Sequence, residues 1–197
     1  MTHQDRVRAF VIALALGVIP LTPPVLQPAQ ADEESNQSKN QRLIQSFTPY
    51  ERAMYYKQQG DFTKAIEILE PMAAQGHGFE MAQLSLGQCY IAAATTLTPP
   101  EASHDALVKG TKWILTASDA GLPAAQIQLI HMMLDGGRFK VEPEAAGMWY
   151  LIWRRNPARM QGGVTELDAP TMHKLRSTLT PEDWQKAQAQ ADAEHPR

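Results

Sequence analysis

Residues 82–90 read AQLSLGQCY, and residues 125–129 read AQIQL. Both stretches begin with Ala-Gln and then place apolar side chains at three- and four-residue spacing, which is the spacing of one helix face. Their first five residues do alternate apolar and polar side chains, but neither stretch has the β-branched enrichment that is typical of a strand. The two stretches therefore predict helices, and their likeness predicts an internal repeat.

The likeness continues on both sides of these stretches. Gly110 and Ala146 begin two copies that are 36 residues apart. From Ala65, in the first copy, to Gly110 the interval is 45 residues. Most of the excess falls at 95–104 (TTLTPPEASH), which we interpret as an extended loop because of its Pro, Thr and Ser content.

The chain after Phe47 has the helical pattern throughout. It predicts helices at about 49–59, 62–75, 79–94, 104–120, 123–135, 142–155, 168–178 and 181–194. Small residues such as Gly87 allow two helices to approach closely. One helical hairpin cannot bury its apolar stripe alone, whereas stacked hairpins share a continuous core. The predicted fold class is all-α, with antiparallel helical hairpins stacked in a right-handed α/α superhelix.

This register resembles the Sel-one-like repeat, a branch of the tetratricopeptide superfamily. The family pattern is an Ala, an aromatic residue three positions on, a small pair, a Gly, then Ala-Gln and Leu-Gly. Segment 110–153 follows it in register, and segment 64–90 follows it with one two-residue insertion. Ser118, Ile130 and Met133 depart from the family preference. The resemblance implies a solenoid that binds a protein or peptide on its concave face, closed by capping helices.

One branch of that family is rich in cysteine and is linked to penicillin binding or hydrolysis. This chain has a single cysteine, Cys89, so the resemblance does not extend to that activity. A lone thiol forms no internal disulfide. Because Cys89 lies within a strong helical pattern, we predict a buried, unreactive side chain.

The N-terminus has the order of a secretory leader. Arg6 and Arg8 precede an apolar run at 9–21, and Ala29-Gln30-Ala31 fits a cleavage site. The run is shorter than the roughly 20 residues that a transmembrane helix needs, although an uncleaved anchor is the alternative. We predict a periplasmic or secreted protein, cleaved near Ala31 and not inserted in the membrane after cleavage.

These patterns divide the chain into four parts. They are a signal peptide at 1–31, a flexible polar linker at 32–46, the Sel-one-like repeat domain at 47–157, and a C-terminal loop with capping helices at 158–197. The formal net charge is −3, and Lys and Arg form no long block. This charge pattern argues against a nucleic-acid partner.

The residues that usually carry chemistry do not form a recognisable set. No His has a second His or Cys at metal-ligand spacing, and no nucleophile elbow or phosphate-binding loop is present. We predict no catalytic residues, no cofactor and no metal, and a protein that is not an enzyme. The alternative is an envelope hydrolase, or an enzyme that interacts with penicillin or peptidoglycan, on the same scaffold. Turnover of a chromogenic β-lactam or of peptidoglycan fragments that His131→Ala abolishes would indicate such an enzyme.

A protein or peptide is therefore the expected partner. The concave face is lined by the first helix of each hairpin, and its non-core positions supply the predicted binding residues, which are Met54, Ser85, Gln88, Gln128 and His131. Ordinary solvated surface is the alternative at these positions. Trp113 and Trp149 occupy repeat core positions, while Trp153 is left open between core and surface.

Overall fold

The computed structural model describes residues 38–39, 41–161, 163 and 166–194. Backbone contacts divide the chain into two units, Met1–Leu43 and Ile44–Arg197, and most of the first lies outside the described residues. The predicted signal peptide at 1–31 lies wholly outside them. Of the predicted linker at 32–46, residues 38–39 and 41–46 are described, and they are helical and mostly exposed.

The described residues are helical and contain no strand, which confirms the all-α class. The helices in the described part of Ile44–Arg197 are α1 (Pro49–Gln58), α2 (Phe62–Ala73), α3 (Glu80–Ala93), α4 (Pro100–Asp119), α5 (Pro123–Asp135), α6 (Pro143–Arg155), α7 (Ala158–Gln161), α8 (Ala169–Thr178) and α9 (Pro181–Glu194). The single turn α7 was not predicted. Within this range, no helix has the length and apolar composition needed to cross a membrane.

Proline begins several of these helices. The first residue is proline in α1, α4, α5, α6 and α9. Proline suits this position because the first helical N–H has no partner inside the helix and the ring presets φ. The prediction of a loop through residue 104 was wrong for this reason, since Pro100 begins α4 and only residues 94–99 connect it to α3.

Side chains also mark the helix starts. Thr48 and Glu51 form a reciprocal capping box at α1, and Asp61 accepts a hydrogen bond from the Lys64 N–H at α2. Thr180 does the same for α9, where its hydroxyl accepts from the Asp183 N–H at 3.2 Å. These bonds satisfy backbone donors that the first turn leaves free.

Each helix from α1 to α5 packs on the helix that follows it, and α6 packs on α5 and α9. Hydrogen bonds near both ends give the relative direction of α5 and α6. The Glu142 N–H donates to the Met133 carbonyl at 2.9 Å, and Asn156 Nδ2 donates to the Gly121 carbonyl at 2.7 Å. The start of α6 therefore lies beside the end of α5, and the two helices are antiparallel.

Helices α3 and α4 are antiparallel too, and they come unusually close. Ser103 Oγ donates to the Ala94 carbonyl at 2.7 Å near the connecting loop. Further along, a Cβ on Gly87 would lie 2.7 Å from the Gly110 carbonyl oxygen, and a Cβ on Gly110 would lie 2.8 Å from that of Gly87. The predicted role of Gly87 in close helix approach is confirmed.

The buried apolar residues form two clusters that meet at α3. Leu86 and Cys89 belong to the cluster with α1 and α2, whereas Leu84 belongs to the cluster with α4 to α9. Trp149 is in the second cluster with 2% of its surface exposed, and Trp113 packs half-buried against the first. The predicted core position is confirmed for Trp149, whereas Trp113 is only partly buried at the edge of its cluster.

Candidate functional site

A row of mostly polar side chains joins α1, α3 and α5. We call it the polar row, and it consists of Tyr50, Met54, Lys57, Ser85, Gln88, Gln128 and His131. Tyr50, Met54 and Lys57 lie at i, i+4 and i+7 of α1, so they share one face of that helix. Ser85 and Gln88 on α3, and Gln128 and His131 on α5, are each three residues apart and share a face likewise.

At the α1–α3 end, the row is held by hydroxyl and thioether contacts. The Tyr50 and Ser85 hydroxyl oxygens are 3.0 Å apart, and Ser85 Oγ lies 3.7 Å from Met54 Sδ. Ser85 is only 3% exposed. Its hydroxyl is therefore committed to the contact between the two helices, and no imidazole or carboxylate in the described part of the chain is hydrogen-bonded to it.

Two glutamine amides continue the row from α3 to α5. Lys57 Nζ donates to Gln88 Oε1, and Gln88 Nε2 donates to Gln128 Oε1 at 3.4 Å. All three side chains are half-buried. The long bond between the amides is weak, so a peptide carbonyl or N–H that reached Gln128 would compete with it at little cost.

His131 ends the row beside the start of α8. Its Nε2 lies 3.1 Å from Thr171 Oγ1 and 3.6 Å from Asp168 Oδ2. Thr171 Oγ1 donates its only proton to Asp168 at 2.7 Å, so His131 Nε2 must be the donor in its bond to Thr171. The threonine proton points to the carboxylate and not to the imidazole, which is not the arrangement of an activated nucleophile.

Asp168 has a structural task at this place. Its carboxylate also accepts from the Thr171 N–H at 2.9 Å and so caps α8. Hydrogen bonds from the Thr171 side chain, and next from its backbone, lower the pKa of Asp168. The side chains of His131, Asp135, Thr171 and Lys174 border a depression of about 170 Å³.

The five predicted binding residues are therefore connected, but only four of them reach the surface: Ser85 was predicted at a non-core position and is instead buried in the contact between α1 and α3. Met54 contacts Ser85, Gln88 contacts Gln128, and His131 lies one turn beyond Gln128 on α5. Sequence reasoning did not select Tyr50 and Lys57, which belong to the same row. Their spacing from Met54 was the signal that would have found them, because i, i+4 and i+7 fall on one helix face.

The remaining candidate groups are structural. Cys89 is fully buried, and burial raises the pKa of its thiol, as predicted for an unreactive side chain. Trp153, left open by the sequence, is fully buried and stacks on Tyr150 with 6.2 Å between ring centroids. Among the described side chains, no three His, Cys, Asp or Glu are grouped so that they could hold a metal ion.

No protein-family model and no curated protein matches this chain. The likeness to the Sel-one-like repeat therefore rests on residues within the chain itself, and two of them make the same contact. Gln83 Nε2 donates to the Ala73 carbonyl at 3.3 Å, and Gln126 Nε2 donates to the Ser118 carbonyl at 3.1 Å. Each glutamine follows an alanine, and each accepting carbonyl lies three residues before a glycine with positive φ.

Proposed function

We propose that this chain is an exported, non-enzymatic adaptor that binds a protein or peptide of the bacterial cell envelope. In this proposal the helices form Sel-one-like hairpins, stacked as a right-handed superhelix with α1, α3 and α5 on its inner face. The helices α8 and α9 cap the stack, and a leader cleaved near Ala31 directs the chain across the inner membrane.

The repeated glutamine–carbonyl bond is the observation that carries this proposal. Gln83 and Gln126 both come from an Ala-Gln pair, and both hold the end of the preceding helix, at Ala73 and Ser118. Two segments that share a sequence register and also a side-chain contact behave as copies of one unit. Stacks of such units have extended surfaces that are suited to binding other polypeptides.

The polar row supplies the surface on which we place the partner. Its exposed groups are an ammonium, two amides and an imidazole, which hydrogen-bond well with peptide groups. They extend across three helices, as a bound segment of extended chain requires. The His131 side chain is 39% exposed, and Gln128 has only a long, weak bond to Gln88 to give up, so we expect the strongest contacts at these two residues.

Site-specific photocrosslinking in the producing cell tests the proposal. The full chain, leader included, would carry a photoreactive phenylalanine analogue at Gln128 in one version and at Ala189, exposed on α9, in another. We expect a discrete adduct of constant mass from position 128 and none from position 189. Adducts from neither position, or equal adducts from both, would contradict an adaptor that uses this face.

Cell fractionation tests the export part separately. The mass of the purified chain reports whether residues 1–31 have been removed, and its release by osmotic shock reports a periplasmic location. A full-length chain that stays with the membrane fraction would indicate the uncleaved anchor instead.

A further inference from the structure

A groove with an apolar floor runs along the outer side of α4. The loop between α5 and α6 forms its opposite wall. Leu107, Val108, Leu115 and Phe139 supply the apolar lining, and its volume is about 430 Å³. None of these residues belongs to the polar row, so the groove is a separate surface.

Two of the floor residues are unusually exposed for their type. Val108 is 54% exposed and Leu115 is 39% exposed. They are seven residues apart on α4, which places them on one face about 10 Å apart. Exposed apolar side chains that line a groove together differ from scattered single ones, because they offer a continuous area for burial.

The rim of the groove is positively charged. Lys112 stands between the two exposed apolar residues, and Arg138 and Lys140 stand on the opposite wall. No lining residue is acidic, although the whole chain has a formal net charge of −3. Lys140 is 3.3 Å from Glu142, whereas no described carboxylate pairs with Lys112.

The loop wall is fixed to the helical core. Phe139 packs partly buried against the core, and Arg138 Nη1 adds a long bond to the Ile91 carbonyl at 3.4 Å. The Glu142 N–H donates a hydrogen bond to the Met133 carbonyl near the end of α5, which holds the loop against that helix. The groove is therefore formed before any ligand arrives, which lowers the entropy cost of binding.

We propose that this groove binds an acidic amphipathic helix from a partner polypeptide. Apolar side chains of such a helix at i, i+3 or i+4 and i+7 would fill the floor, in the manner of other helix-in-groove complexes. Its carboxylates would face Lys112 and Lys140. The inference goes beyond the proposed function, because the groove can bind a helix whether or not the polar row binds anything.

A designed peptide tests the groove directly. The probe is a fluorescein-labelled helical peptide of about 15 residues, two to three times the length of α4 between Val108 and Leu115. It carries leucine at helical three- and four-residue spacing and glutamate elsewhere. Its control has lysine in place of glutamate. Fluorescence anisotropy with the full chain should show binding of the acidic peptide only, and the affinity should fall as salt is added.

Substitutions then locate the binding. Lys112→Glu and Leu115→Gln should each weaken binding of the acidic peptide about tenfold, the effect of losing one close charge pair or one buried anchor. Arg176→Glu changes an equally exposed cation on α8 and should leave the affinity unchanged. Gln88→Ala should also leave it unchanged, which separates the groove from the polar row.

Several results would overturn the proposal. They are absence of binding, equal binding of both peptides, and affinity that does not respond to Lys112→Glu. Vesicles that contain anionic phosphatidylglycerol distinguish the other ligand class that fits a cationic, apolar groove. Binding to these vesicles that depends on Lys112, without binding of the acidic peptide, would assign the groove to lipid and reject the peptide.

Discussion

Gly87 and Gly110 determine how closely α3 approaches α4. Each has a hydrogen where any other residue would place a Cβ against the backbone of the facing helix. A third helical glycine, Gly147, is different, since a Cβ there would meet no backbone atom. It would lie 2.5 Å from Leu179 Cδ2, the far end of a flexible side chain, and 3.2 Å from Ala187 Cβ, which would need to shift by only a few tenths of an ångström. Backbone cannot move aside as a leucine methyl can, so the cost of an added methyl group should differ.

Gly87→Ala should therefore destabilise the protein by about 1–3 kcal/mol, the usual cost of overpacking. A Gly-to-Ala change inside a helix normally stabilises by about 0.5–1 kcal/mol. The sign of the change in unfolding free energy therefore distinguishes overpacking from the ordinary effect of helix propensity. Urea unfolding followed by circular dichroism gives the free energy of unfolding. Gly147→Ala is the matched control and should cost clearly less. A Gly87→Ala variant as stable as the parent would contradict the close approach.

Single aromatic residues show what sequence reasoning can assign. Trp149 falls at a repeat core position and is buried as predicted. Trp153 follows it by four residues, and two arginines come next, so the sequence favoured neither core nor surface. The structure buries it because the ring stacks on Tyr150 and Arg159 lies 5.3 Å from the ring centroid. Tyr150 lies on the same helix, but full burial also needs the residues of neighbouring helices that share this core cluster, and no local pattern specifies that packing.

At the scale of single elements, carboxylates at the helix starts make stability depend on pH. Glu51, Asp61, Glu80, Asp168 and Asp183 all accept hydrogen bonds near an N-terminus, and each has a lowered pKa. A lowered pKa in the folded state means that the ionised form is favoured by folding. Their contribution is thus present above the unfolded values and is lost as pH falls through the folded ones.

Acid should therefore weaken the fold below about pH 4, close to the unfolded values of such carboxyls. In Asp183 the main cause is the hydrogen bond from the Thr180 side chain, at 2.7 Å. Asp183→Asn keeps an acceptor but cannot titrate. The stability difference between parent and variant should be largest at neutral pH and should shrink at about pH 3. Urea midpoints of parent and variant at both pH values measure this stability difference. A difference that does not change with pH would contradict the role assigned to the Asp183 carboxylate.

The element boundaries show where sequence patterns succeed and fail. The start of α9 at Pro181 agrees with the predicted helix at 181–194, because the capping bonds between Thr180 and Asp183 are local. The start of α4 was placed four residues late, because Pro99-Pro100 also occurs in loops. The groove on α4 was not predicted at all. Val108 and Leu115 have the spacing of a buried stripe, and only the packed structure shows that this stripe is exposed.

In the proposed repeat, the two glutamine bonds are equivalent parts of one unit. Gln83→Ala and Gln126→Ala each remove one hydrogen bond to a helix-end carbonyl that also accepts from a glycine N–H, so each lost bond should cost about 0.5–1.5 kcal/mol. Gln126→Ala should cost more of the two, because Gln126 Oε1 also accepts from Asn156 Nδ2 at 3.0 Å, whereas Gln83 Oε1 has no hydrogen-bond partner among the described residues. Gln58→Ala, exposed at the end of α1, is the control and should change little. A large loss in one variant and none in the other would argue against equivalent units.

At the scale of the whole molecule, α9 is the last helix among the described residues, and it packs on α6. Ala187 and Ala191 are fully buried on α9, and Trp184 meets Tyr150 edge to face with 5.9 Å between ring centroids. Gly147 leaves room for this approach, since its own Cβ would lie 3.2 Å from Ala187 Cβ. A terminal helix of a stack covers apolar surface that would otherwise face water, so its docking should affect the stability of the entire chain.

Ala187→Glu tests whether α9 has this capping role. The new carboxylate would lie between α9 and α6, against Gly147, which offers no charge to pair with it. An unpaired buried charge costs about 3 kcal/mol or more. Ala189→Glu adds the same side chain to the exposed face of the same helix and should change stability by less than about 0.5 kcal/mol. The first variant should unfold at lower urea and bind a hydrophobic dye, because the apolar surface of α6 becomes accessible. Equal urea midpoints for the two variants would mean that α9 does not stabilise the helices it packs on and has no capping role.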